Sequence, residues 1–128
     1  MRSILRHMSW KLKGMHVYAL VGKSGTGISF RSALIMDKFN ITHMIDDGLL
    51  IRKDKIIAGR SAKREDAYLA AVKTAIFADR SHRENVMQAL KSDNVKSLLI
   101  LGTSDKMITR ITETLDLPSP TRIIRIEE

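Results

Sequence analysis

Residues 95–102, VKSLLILG, constrain the fold more than any other stretch of this chain. From Leu98 to Leu101 the run is aliphatic without a break, so neither face of a strand here tolerates water. A half-exposed strand alternates apolar and polar residues. An unbroken run needs cover on both sides, which is the setting of a parallel strand between two layers of helix. HVYALV, residues 16–21, makes a similar demand: it is β-branched and aromatic and runs into glycines.

The other segments supply the covering helices. Phe30, Ala33 and Leu34 recur at helical spacing and predict a helix over about 28–38, closed by Asn40. ITHMI, 41–45, reads as a second strand ending at Asp46, Asp47 and Gly48. LLIRKDKIIAG, 49–59, offers two apolar runs around Lys53 and Asp54, a short hairpin. SAKREDAYLAAVKTAIFAD places Leu69, Val72 and Ile76 on one helical face, and after a break at 79–81 a further helix turns Val86, Met87 and Leu90 inward. Ile108, Ile111 and Leu115 form the stripe of a last helix, which Pro118 and Pro120 end before the strand RIIRI. This order predicts a three-layer α/β domain over 15–128, with a mostly parallel sheet and a short β-hairpin insertion. A chain of 128 residues can bury a core of that size.

The net charge of +8 would invite nucleic acid, but half of it lies in residues 1–14, where Arg2, Arg6, Lys11 and Lys13 meet no acid. That segment reads as a leader or appended extension, with a basic amphipathic arm as the alternative; it lacks the apolar region of a secretory signal. Only 5% of residues are aromatic, which argues against a base-stacking surface. Cysteine is absent, in keeping with a reducing cytoplasm, and no segment is long and apolar enough for a membrane span. The chain stops two residues past its last strand, so a further C-terminal domain or a protein partner stays open as an expectation.

The chemistry gathers at VGKSGTGIS, residues 21–29. Gly22, Gly25 and Gly27 lie between a buried strand and a helix, where glycines let successive N–H groups curl toward one anion and the helix adds its positive end. VYALVGKSGTGIS resembles the Walker A segment of P-loop NTPases, and with IDDGLLI, AGRSAKRE and LILGTSD it is similar to a poorly characterised bacterial family of P-loop proteins. The resemblance implies a P-loop fold and binding of ATP or GTP with Mg²⁺ through Gly22, Lys23, Ser24, Gly25, Thr26, Gly27, Ile28 and Ser29. It breaks at Ile28, which stands where such loops carry lysine. Losing a charge-assisted hydrogen bond costs about 1.5–3 kcal/mol, roughly tenfold to 150-fold in affinity. Losing a donor to developing charge costs catalysis about 2.7–4 kcal/mol. Binding should therefore survive weakened, with little or no hydrolysis.

Several residues are candidates to assist. The Ser29 hydroxyl and the carboxylates of Asp46 and Asp47 suit Mg²⁺, although Asp-Asp-Gly also makes a plain polar turn. Lys23 is a candidate cation or an exposed bystander. Arg60, Lys63 and Arg64 could clamp phosphate from the side opposite the loop, or simply be a solvated helix start. Thr103 could bond a phosphate, or with Ser104 and Asp105 merely cap a helix. His43 and His82 have no ligand spacing, and His43 reads as structural. Besides the nucleotide-binding domain, two alternatives follow: a small-molecule phosphotransferase using the Arg60, Lys63 and Arg64 cations, and a non-enzymatic interaction or nucleic-acid module on a degenerate P-loop scaffold.

Overall fold

The computed structural model describes residues 14–23 and 27–126. The leader and the centre of the glycine loop (Ser24, Gly25 and Thr26) lie outside the described residues, as does the side chain of Ser29. Along the chain run β1 (His16–Val21), α1 (Ile28–Phe39), β2 (His43–Asp46), β3 (Leu49–Arg52) and β4 (Lys55–Gly59). A short 3₁₀ turn (Ala62–Arg64) follows, then α2 (Tyr68–Ala75), α3 (Arg80–Ser92), β5 (Ser97–Gly102), α4 (Asp105–Thr114) and β6 (Arg122–Arg125).

The six strands form one sheet in the order β4-β3-β2-β5-β1-β6. As the aliphatic runs require, β1 and β5 lie side by side in parallel, each with a neighbouring strand on both sides, Tyr18 opposite Leu99 and Val21 opposite Gly102. β2 pairs parallel with β5, and β6 parallel with β1. The sheet as a whole is nonetheless mixed, not mostly parallel, because β3 runs antiparallel to β2 and β4 antiparallel to β3. The expected hairpin is there, but it extends the sheet instead of standing outside it. The cause is a second tight turn: Asp47 and Gly48 both have positive φ, 55° and 87°, as a two-residue turn of the hairpin-forming hand requires. Lys53 and Asp54 repeat that geometry at φ 49° and 66° without help from glycine.

One face of the sheet packs Val17, Ala19, Leu98 and Ile100 against Val86 and Leu90 of α3, Ile108 and Ile111 of α4, and Leu115 at the end of α4. The other packs Leu20, Leu99 and Leu101 against Ile28, Ile35, Met36 and Phe39 of α1. Phe39 stacks on Tyr18 with ring centroids 5.3 Å apart, and Asn40, at φ 54°, caps the helix as expected. The phase of α1 differs from the sequence reading. Phe30 and Leu34 are 72% and 57% exposed, and the sheet is met by the stripe through Ile28, Ile35 and Phe39, with Ser32 buried beside it. Helical spacing alone cannot separate two apolar stripes on one helix.

A similar reversal occurs in α2. Leu69 and Val72 are 70% and 40% exposed, while the one buried residue of the helix is the polar Thr74. Its start is also delayed. The Asp47 carboxylate takes hydrogen bonds from the Ser61 hydroxyl (2.9 Å) and the Lys63 N–H (3.2 Å), which closes a separate turn before α2 begins.

Candidate functional site

β1 and β5 are neighbours, yet the chain leaving them moves in opposite directions. From β1 it crosses to α1 on one face of the sheet; from β5 it crosses to α4 on the other. Such a switch point opens a crevice beyond the carboxyl ends of the two strands, where open α/β sheets hold their ligands. Its rim is the pair Gly22 and Gly102, joined by a hydrogen bond from the Gly22 N–H to the Gly102 carbonyl of 3.1 Å. The glycine loop therefore leaves β1 at the mouth of the crevice.

Gly27 ends the loop at φ 75° and serves as the N-cap of α1. Among the described residues no side chain caps that helix and no acid stands in its first turn. Ile28 begins the helix half-buried and packs with the apolar cluster around Leu20 and Leu101. It is thus drawn toward the sheet. Lys23 is exposed at the start of the loop.

The two carboxylates after β2 separate. Strand alternation sends Asp46 to the face of Met44 and Leu101, the face that α1 covers. Burial pushes the Asp46 carboxyl above the usual carboxylate range, the charge of Asp47 raises it further, and Lys63 partly opposes both. A cation beside Asp46 would relieve that strain. Asp47 is instead committed to the Ser61 and Lys63 donors and faces the α4 side, where it reaches the inner end of a cleft. Among the described residues no group of three or more acids and histidines is gathered as a ready metal cage.

The basic trio divides as well. Arg60 lies within 3.8 Å of Glu65 and 3.7 Å of Asp79, a surface cluster apart from the crevice. Lys63 and Arg64 are exposed, and Lys63 is close enough to lower the Asp46 carboxyl. Thr103 is exposed at the end of β5, and Ser104 caps α4 by accepting the Met107 N–H at 3.1 Å, as its position predicted. Asp105, next to it, bonds Arg125.

Both histidines are structural. Asp93 can only accept, so His43 Nε2 donates to it, and Nδ1 lies 2.6 Å from the Thr42 hydroxyl. Arg52 completes that network, 3.3 Å from the same carboxylate, at the edge of the sheet opposite the crevice. His82 Nε2 lies 2.8 Å from the Gly48 carbonyl and 3.2 Å from the Arg60 N–H, and so fastens the Asp47–Gly48 turn to α3.

The sequence reading missed the cleft that Asp47 reaches. It holds about 700 Å³ between α2 and α4, and Thr103 and Ser104 lie at its inner end. The available signal was the spacing of Lys106, Met107 and Arg110, which share a face of α4.

The class of molecule that the fold defines is a three-layer α/β domain built on a six-stranded mixed sheet. No family model, curated protein or solved structure matches the chain, so no relative narrows that class.

Proposed function

We propose that this chain binds the phosphates of ATP or GTP in the crevice between β1 and β5, mainly through main-chain amides of residues 22–29, with weak or no hydrolysis. The observation that supports it most is the coincidence of three features: a switch point, a glycine-rich exit from one of its two strands, and a helix start with no side-chain cap among the described residues. Amides in that arrangement recognise an oxyanion without a cationic side chain. Asp46, raised by burial and facing the α1 side, is the carboxylate that would hold Mg²⁺; bound there, the ion would neutralise phosphate charge while keeping most of its waters. Lacking lysine at 28, the site has less to offer a transition state than a ground state.

A second reading, a small-molecule phosphotransferase, is favoured by the cleft alone, which lies beyond β5 from the crevice and would give an acceptor somewhere to sit. The commitment of Arg60 to Glu65 and Asp79 leaves Lys63 and Arg64 as its candidate cations.

Calorimetric titration of the full chain with ATP, GTP, inorganic triphosphate and adenosine, each with and without Mg²⁺, tests the main reading. The phosphate-bearing ligands should bind at low millimolar concentration or better, and adenosine should not. If all four are silent where the Ile28→Lys variant responds to ATP, the backbone-only site is rejected.

A further inference from the structure

α2 turns its apolar side away from the core. Tyr68, Ala71, Val72, Ala75 and Ile76 fall at the spacing of one helical face, and that face lines the cleft instead of packing on the sheet. Tyr68 is 82% exposed, a large apolar ring left in water at the rim. Across the gap, Thr103, Lys106, Met107 and Arg110 form the corresponding stripe of α4. Two helices whose facing stripes do not meet leave a concave space of about 700 Å³, within the roughly 300–1,000 Å³ range that small organic ligands occupy.

The two walls differ in chemistry. The α2 wall is hydrocarbon, and alanines at 71 and 75 leave it flat enough to seat a ring. The α4 wall carries two cations one turn apart, and neither Lys106 nor Arg110 forms an ion pair among the described residues. Asp105 is paired with Arg125, whereas Asp47, held by the Ser61 hydroxyl and the Lys63 N–H, keeps its charge but is ion-paired with neither cation, so two cations against one acid leave the lining net positive. A cleft with an apolar wall and an unmatched pair of cations selects an anion with an apolar body.

We infer that the cleft between α2 and α4 is a binding site for a small aromatic carboxylate or phosphate ester, its ring against Val72 and Ile76 and its anionic group between Lys106 and Arg110. The site is separate from the crevice between β1 and β5 and needs no nucleotide. A nucleotide can therefore bind or fail to bind without deciding the matter.

The test is methyl-detected NMR titration of the full chain with phenylpropionate and phenyl phosphate. Phenylpropylamine serves as the cationic counterpart and inorganic phosphate as the bare anion. Both aromatic anions should shift the methyls of Val72, Ile76 and Met107, and the amine and inorganic phosphate should leave them in place. The double variant Lys106→Gln/Arg110→Gln, altered only at exposed positions, should weaken binding about tenfold with its other methyls unmoved. The proposal is overturned by any of four results: silence from both aromatic anions, equal shifts with the amine, shifts confined to the exposed Phe30–Leu34 face, or undiminished affinity in the double variant.

Discussion

Replacing Ile28 by lysine should move stability and affinity in opposite directions. Ile28 is half-buried against the cluster of Leu20 and Leu101. Full burial of such a side chain is worth about 1.5–3 kcal/mol. A half-buried isoleucine thus contributes about 1 kcal/mol, part of which the aliphatic stem of lysine can recover by lying along the same surface. The loss to folding should be about 0.5–1 kcal/mol. The gain to phosphate binding is larger, because the new ammonium can reach back over the loop and make a charge-assisted hydrogen bond worth about 1.5–3 kcal/mol, or tenfold to 150-fold in Kd for ATP. Urea unfolding measures the first quantity and calorimetry the second, on the same protein. A variant that folds slightly less stably and binds ATP at least tenfold more tightly is the expected outcome. If affinity stays unchanged while the fold is intact, the start of α1 does not face a phosphate and the assignment of the crevice fails.

Three further outcomes follow from the same geometry. Gly48→Ala should destabilise the chain by about 3 kcal/mol or more, since a Cβ at φ 87° would collide with the Arg60 carbonyl and crowd Thr74 and His82 at 3.2 and 3.3 Å; a urea midpoint near that of the unaltered chain would contradict the turn. The raised Asp46 carboxyl favours the folded state only while protonated, a benefit that fades as pH rises from the ordinary carboxylate value through the folded one. Asp46→Asn should therefore raise the urea midpoint at neutral pH, make no difference in strong acid, and weaken the Mg²⁺ dependence of ATP binding. Asp93 runs the other way: the hydrogen bond from His43, with help from Arg52, holds its carboxyl below the usual range. Its contribution is present above the ordinary carboxylate value and lost as pH falls through the folded one, so Asp93→Asn should flatten the acid limb of the stability profile.

The layered fold was legible because its strongest signals were one-dimensional. The aliphatic run from Leu98 to Leu101 and the β-branched run before Gly22 can be satisfied only between two covering layers, and they became β5 and β1. The caps at Asn40 and Ser104 were legible for the same reason, each being a local hydrogen-bonding choice. What escaped were questions of facing. Phe30 and Leu34, like Leu69 and Val72, have core chemistry at helical spacing, but which stripe faces the sheet is decided by partners distant in sequence. The mixed sheet escaped because Asp47–Gly48 reads equally well as the end of a strand and as a hairpin turn, and only β3 folding back distinguishes them. Asp46 and Asp47 were legible as a pair. Their division between the two faces of the sheet was not, since it follows from the turn and from the Ser61 and Lys63 donors that claim Asp47.

The most direct measurement is an amide-resolved NMR titration of the full chain with ATP and Mg²⁺. If the main chain at the switch point holds the phosphates, the largest shifts will fall on the amides of Gly22, Gly27 and Ile28, with a smaller response at Gly102 and Asp46. Inorganic triphosphate will reproduce the pattern. Shifts that leave Gly27 and Ile28 unmoved, or that triphosphate does not reproduce, would contradict the account.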